Sequence, residues 1–150
     1  MTTGLFPIEF VQTPHEVVIL LEYMGVHRII PITAQHPDDS EPSFLGNSIG
    51  RWDGDTLVVD TVGFNDKFWF DFRGHPHTEQ LHTIERYTRK DLGTLENKVT
   101  IIDPAYYSKP FTLTFTARLR PKEELMEYIC QENQQDSQHM QGGAGPPVNP

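Results

Sequence analysis

The alternation of apolar and polar side chains in FTLTFTARLR, residues 111–120, constrains the fold of this chain more than any other feature. Phe111, Leu113, Phe115, Ala117 and Leu119 alternate with threonine and arginine residues. A period of two is typical of a β-strand, because successive side chains of a strand point to opposite faces of its sheet. The segment therefore predicts a strand with one buried face and one wet face.

Eight further segments carry strand-like runs, and turn sequences separate most of them. They are residues 8–13, 16–23, 26–33, 48–54, 56–64, 81–89, 94–102 and 124–132. The pair Asp53-Gly54, between two such runs, is a hairpin signal. Strands joined by short turns pair antiparallel, because a parallel pair needs a long crossover. For residues 124–132 a helix remains an alternative, since the segment is also rich in helix-forming residues.

A long antiparallel meander exposes unpaired edges, and closing it into a barrel removes them. We therefore predict an all-β fold in which the meander closes into a β-barrel of about eight or nine strands. This barrel forms a single domain over residues 1–133. Residues 134–150 contain almost nothing apolar to bury, and we expect a disordered tail there.

Composition limits the partners of the chain. The formal charge is −9, from 21 Asp and Glu residues against 12 Lys and Arg residues, which disfavours nucleic acid and anionic membranes as partners. Cys130 is the only cysteine, so that no intrachain disulfide can form. The chain lacks the pattern of a signal peptide and a run of roughly 20 apolar residues. We expect a cytoplasmic protein, or a secreted one if a leader has been removed, and a homodimer is a possible assembly.

Three histidines and a glutamate lie within a dozen positions of the segment FRGHPHTEQLHTIER. Residues two apart in an extended segment point the same way, so that His75 and His77 can approach one metal ion, with His82 and Glu85 on the following strand. The His-Pro-His spacing resembles the first motif of the cupins, in which a His-x-His pair and a Glu bind an iron-type metal. That resemblance implies a metal-dependent enzyme. The alternative interpretation is a solvated turn.

Several ionisable residues lie between apolar neighbours in the strand-like runs, as Asp60 does between Val58 and Val62. A carboxylate that points into an apolar interior loses hydration, which raises its pKa and suits it to proton transfer near neutral pH. We predict Asp60 or Glu22 as the base, His82 with His77 as acid or orienting partner, and Arg86 and Tyr23 as groups that stabilise negative charge. For each residue the alternative is an outward charge or one half of an ion pair.

Aromatic residues are concentrated in the connection between two predicted strands and in a later loop. Such residues can close a cavity over an apolar ligand, or they can belong to the core. The predicted substrate-binding residues are Phe64, Phe68, Trp69, Phe70 and Tyr107.

The string GNSIGRWDGDTLVVDTVGFND, followed by GHPHTEQLHTIERY, resembles a family of bacterial proteins of undetermined activity. The resemblance covers approximately residues 8–133. The succession of strands with an early tryptophan also resembles lipocalin-like barrels. Lipocalins carry a Gly-x-Trp motif, and the matching tripeptide in this chain is Gly50-Arg51-Trp52. The barrel resemblance implies a central cavity for a small apolar molecule.

Together these features predict an enzyme without a cofactor, of the lyase, isomerase or cyclase kind, that acts by acid/base chemistry on a small apolar organic molecule. One alternative is a barrel of the same kind that binds a small molecule without chemistry. The other is the metal-dependent enzyme at His75, His77, His82 and Glu85.

Overall fold

A computed structural model of the chain describes residues 6–69, 71 and 73–129. It contains eight strands and one short 3₁₀ turn over Tyr23–Gly25. The strands are β1 (Ile8–Gln12), β2 (Glu16–Leu21), β3 (Val26–Pro31), β4 (Asn47–Asp53), β5 (Thr56–Val62), β6 (His82–Asp91), β7 (Thr94–Ile102) and β8 (Phe111–Arg118). The predicted all-β class and the antiparallel pairing of consecutive strands are confirmed.

The strands form two antiparallel sheets, one of three strands in the order β1-β2-β3 and one of five in the order β4-β5-β6-β7-β8. The predicted closed barrel is wrong for the part of the chain that the structure describes, because neither sheet closes on itself there. The meander breaks between β3 and β4, where the chain forms only an isolated parallel bridge between Ile32, just after β3, and Gly50 of β4. The loop that joins the two strands, residues 32–46, is long enough for a parallel crossover, which a tight turn cannot provide.

The predicted strand at residues 124–132 is also corrected, since residues 124–129 have neither strand nor helical structure. Residues 130–132, Cys130 among them, and the predicted tail at 134–150 lie outside the described residues. No helix in the described part of the chain has the length and apolarity needed to cross a bilayer.

The two sheets pack against each other through alternate residues of their facing sides. Val17, Ile19 and Ile30 of the three-stranded sheet meet Leu57 and Val59 of the five-stranded sheet. Gly50 allows this close approach: a Cβ atom there would lie 2.9 Å from Cγ2 of Ile30. A second cluster, Phe64, Leu81, Val99 and Ile101, extends the core at one end of the larger sheet.

The strand register sorts the polar residues of the larger sheet onto two faces. Asp60 lies directly opposite Ile84 of β6 and Ile49 of β4. Residues two apart share a face, so that Asp60 has His82 on the same outer face. Val59 pairs with Glu85, and both are buried on the inner face. His82 and Glu85 therefore point to opposite sides of the sheet.

Candidate functional site

A cluster of polar side chains occupies the outer face of β4, β5 and β6. Asp60 Oδ1 lies 3.0 Å from Nε2 of His82 and 3.0 Å from Nε2 of His36, which belongs to the loop between β3 and β4. The other ring nitrogen of His36, Nδ1, lies 2.9 Å from Oδ1 of Asn47. We call His36, Asn47, Asp60 and His82 the outer-face cluster. Its charged members are one-fifth to one-third exposed, which leaves them accessible to a small molecule.

The hydrogen bonds of the cluster determine where its protons lie. An ionised carboxylate only accepts hydrogen bonds, so that Nε2 of both histidines carries hydrogen. In a neutral His82, Nδ1 then keeps its lone pair, and no described residue forms a hydrogen bond with that atom. A carboxylate that fixes the tautomer of an imidazole and leaves the other nitrogen bare is the arrangement of a general base.

His36 is held differently, because both of its ring nitrogens face a polar side chain. With the amide oxygen of Asn47 at Nδ1, the ring has to be doubly protonated, since two acceptors require two N–H groups. If the Asn47 amide is turned so that its NH₂ group faces Nδ1, a neutral His36 also forms both hydrogen bonds, accepting at Nδ1 and donating from Nε2. In either state His36 has no bare nitrogen to offer to a substrate. It ties its loop to Asp60 and helps to orient that carboxylate.

A second polar network lies between the two sheets. Nη2 of Arg28 donates to Oε2 of Glu85 at 2.7 Å, to Oγ of Ser48 at 3.1 Å and to Oγ1 of Thr61 at 3.2 Å. The Tyr87 hydroxyl donates to the other oxygen of Glu85 at 2.8 Å. The side chains of Arg28 and Glu85 are only 13% and 1% exposed, so this ion pair is buried.

The pKa values of the network follow from burial and from this pairing. Burial favours a raised pKa for Glu85, but the charge and the hydrogen bond of Arg28 outweigh it and hold the pKa below its usual value. Burial likewise favours a lowered pKa for Arg28, and the attraction of Glu85 overcomes it and raises the pKa. Burial, followed by the charge of Glu85, raises the pKa of Tyr87. At neutral pH the network is thus a fixed ion pair beside a neutral phenol, and it exchanges no protons.

A groove of about 310 Å³ separates the facing edges of β3 and β4. Arg28 and Ser48 line it from the strands, and Pro37 and Leu45 line it from the connecting loop. Asn47 lines the groove as well, which connects it to the outer-face cluster. The volume is at the lower end of the roughly 300–1,000 Å³ typical of small-molecule sites.

The structure brings together only two of the six predicted catalytic residues, Asp60 and His82. Arg86 shares their face but forms an exposed ion pair with Asp53 at 2.7 Å. The hydrogen bond and then the charge of Arg86 lower the pKa of Asp53. Glu22 and Tyr23 lie at the turn between β2 and β3, far along the other sheet, where the Glu22 carboxylate accepts a hydrogen bond from the backbone of Met126 at 2.9 Å.

His77 is buried, at 6% exposure, and packs on the ring of Phe68 with 4.2 Å between the ring centroids. Its Nδ1 lies 3.1 Å from the carbonyl oxygen of Thr78, and its buried Nε2 has no partner among the described residues. Thr78 in turn donates two hydrogen bonds to the buried carboxylate of Asp103, at 2.6 and 3.0 Å. These contacts fix the chain before β6, and they place His77 away from the outer-face cluster.

The four predicted metal ligands do not converge. His75 pairs with Asp71 at 2.7 Å in an exposed turn, His77 is buried beside Phe68, and His82 and Glu85 are on opposite faces of β6. The hydrogen bond from His75 lowers the pKa of Asp71. Within residues 6–69, 71 and 73–129, no group of three or more His, Cys, Asp or Glu side chains is arranged to hold a metal ion.

The predicted substrate-binding aromatics are divided among several environments. Phe64 is buried in the second core cluster and Phe68 packs against it, whereas Trp69 is 67% exposed. Tyr107 donates a hydrogen bond from its hydroxyl to the carbonyl oxygen of Pro76 at 2.8 Å. Burial and the charge of Asp103 raise the pKa of Tyr107. Phe70 lies outside the described residues.

Sequence reasoning missed His36, Asn47 and Arg28. His36 lies within the loop between β3 and β4 and Asn47 directly follows it, and the sequence does not specify the path of this loop. Arg28 did carry a signal, because it lies between Val26 and Ile30 on the apolar side of a predicted strand. A cation at such a position predicts a buried partner, which is Glu85.

Comparisons of the chain with protein-family models, with curated proteins and with solved structures found no significant match. The resemblance to a bacterial family of undetermined activity, and the likeness to lipocalin-like barrels, therefore stay predictions.

Proposed function

We propose that this chain is an enzyme that works by acid/base chemistry, with His82 as the group that accepts and returns a proton. Asp60 orients the imidazole and stabilises the charge that His82 acquires when it is protonated. The substrate is a small, largely apolar organic molecule, and the reaction is an elimination, isomerisation or cyclisation that starts with removal of a proton. This chemistry uses side chains of the chain alone.

The observation that carries the proposal is the 3.0 Å contact between Nε2 of His82 and Oδ1 of Asp60. It aligns the ring so that Nδ1 is the nitrogen available to a substrate, and the residue remains 32% exposed. Imidazole is the side chain that enzymes use most often both to take and to give a proton. His36 adds a second hydrogen bond to the same carboxylate oxygen and limits its movement.

The other predicted catalytic residues have no part in this site. Arg86 is four residues from His82 along β6, which separates their Cα atoms by about 13 Å at about 3.3 Å per residue. Its guanidinium is also engaged by Asp53. Glu22, Tyr23 and His77 belong to other regions of the fold.

Binding of a small molecule without chemistry is the second candidate function, and the groove between β3 and β4 favours it. The groove combines apolar walls, such as Leu45 and Ile49, with the polar groups of Arg28, Ser48 and Asn47. A mostly apolar molecule with one hydrogen-bonding end fits such a lining. If the chain only binds a small molecule, replacing His82 changes no reaction rate.

The experiment that tests the proposal uses nitrobenzisoxazole, a small apolar probe whose ring opens when a base removes its C–H proton. We expect the wild-type chain to open the ring faster than the His82→Gln variant, because glutamine has no basic nitrogen. His15→Gln, at an exposed turn, is the matched control and should equal the wild type. Equal rates for wild type and His82→Gln would contradict the proposed base and leave binding as the better account.

A further inference from the structure

The last strand of the five-stranded sheet, β8, has the features of a pairing edge. One side of β8 pairs with β7 over eight consecutive positions, without a bulge. No described strand pairs with its other side. Natural edge strands are usually protected by prolines, bulges or inward-pointing charges, and the segment FTLTFTA has none of these.

The inner face of the five-stranded sheet is buried at β7 but becomes partly exposed at β8. Leu113 lies directly opposite Val99 of β7, so that both side chains point to the inner face. Val99 is fully buried, whereas Leu113 is 38% exposed. The second core cluster, to which Val99 belongs, therefore leaves part of Leu113 uncovered. Apolar surface left open beside a strand edge that no described strand covers is typical of an interaction surface.

We propose that a second copy of this chain pairs antiparallel with β8, with a two-fold axis through Leu113, to form a continuous ten-stranded sheet across a homodimer. The ten strands are the five of each copy. An interface of this kind has to be self-complementary, because the same patch meets itself. The five residues Phe-Thr-Leu-Thr-Phe, 111–115, read the same in both directions. Thr112 then faces Thr114 of the second copy, and Leu113 faces its own counterpart.

The charges of the segment favour a second copy as the occupant. The whole chain carries −9, but residues 108–120 contain no Asp or Glu, so that two copies can approach here without carboxylates facing each other. In this register Lys109 is opposite Ala117 of the second copy, and Arg118 is opposite Ser108. The two cations also point to opposite faces of the strand, because one number is odd and the other even. No like charges are brought face to face.

Pairing would add backbone hydrogen bonds along β8 and cover the exposed part of Leu113. Cross-strand pairs of apolar and threonine side chains stabilise a sheet of this kind. The other edges are less suited: β1 has five residues, β3 ends in Pro31, and β4 faces β3 across the groove. β8 is both longer and free of such features.

Sedimentation velocity of the full chain at micromolar concentrations tests the proposal. We expect a dimer for the wild type and a monomer for Leu113→Lys, because two lysines would meet on the two-fold axis. Leu113→Glu should also be a monomer. An equimolar mixture of the two variants should restore the dimer, since lysine then faces glutamate. Ile29→Lys, the same kind of change at an even more exposed position on β3, should remain a dimer.

Circular dichroism checks that each variant stays folded. Should Leu113→Lys fail to fold, Leu113→Thr preserves strand preference and should raise the dissociation constant at least about tenfold through the lost apolar contact. A monomeric wild type, a dimer that persists in Leu113→Lys, or a mixture that stays monomeric would each overturn the assignment of β8 as the interface.

Discussion

Replacing Glu85 with glutamine is expected to lower the free energy of unfolding by about 3–5 kcal/mol at neutral pH, the range observed when one partner of a buried ion pair is removed. Glutamine preserves the size of the side chain but not its charge. Arg28 would keep its charge between the two sheets, 13% exposed, with only uncharged partners, which are the hydroxyls of Ser48 and Thr61 and the new amide oxygen. Urea denaturation of the two chains measures the difference.

The exposed pair of Arg86 and Asp53 is the matched control for this change. Its atoms are 2.7 Å apart, the same distance as in the buried pair, but the side chains are 42% and 62% exposed. Solvent screens such a pair, so Asp53→Asn should alter stability little. If Glu85→Gln and Asp53→Asn lowered the free energy of unfolding by similar amounts, burial would not explain the contribution of the Arg28–Glu85 pair to stability.

The contribution of Glu85 to the free energy of unfolding depends on pH. Because the folded state holds the pKa of Glu85 below its unfolded value, its contribution is complete above an unfolded pKa of about 4.3. The contribution is lost as the pH falls through the lower, folded pKa. The difference in stability between wild type and Glu85→Gln should therefore be constant near neutral pH and shrink in acid.

Replacing Asp60 with asparagine is expected to slow turnover of the nitrobenzisoxazole probe by about 10²–10⁴-fold, the range for loss of a positioned acid/base group. The amide can present its NH₂ group to the imidazole, which turns the hydrogen bond around and stabilises the tautomer with a bare Nε2. The bare nitrogen would then face residue 60 instead of the substrate. The loss should appear in kcat, with KM changed little, because Asp60 positions the base and does not hold the probe.

Asp66→Asn is the control for Asp60→Asn, since Asp66 is an exposed carboxylate in the connection between β5 and β6. It should turn over the probe at the wild-type rate. If Asp60→Asn raised KM and left kcat unchanged, Asp60 would be a binding residue and the orienting role would be wrong.

Period-two patterning was sufficient to predict most strands, because it depends on local alternation of apolar and polar residues, as in β8. The same patterning placed Asp60 and His82 among six candidate catalytic residues, and the structure brings these two within 3.0 Å of each other. Parity alone could not predict which face of the sheet is buried, since Val58 on the outer face is as apolar as Val59 on the inner one. The site accordingly lies on the outer face and not in an interior cavity.

Contacts between segments that are distant in sequence could not be predicted, for a different reason. The parallel meeting of β3 and β4 depends on the space left by Gly50 beneath Ile30, and the position of His36 depends on the loop that follows β3. Neither contact has a local pattern. The ion pair of Arg28 and Glu85, 57 residues apart in sequence, likewise follows from the packing of one sheet on the other.

The most direct test of the account is the protonation of the His82 ring in the wild-type chain, measured by long-range ¹H–¹⁵N correlation spectra of the imidazole at a pH where the ring is neutral. We expect a single tautomer, with hydrogen on Nε2 and none on Nδ1. Hydrogen on Nδ1, or a mixture of the two tautomers, would contradict the role of Asp60 and remove His82 as the oriented base.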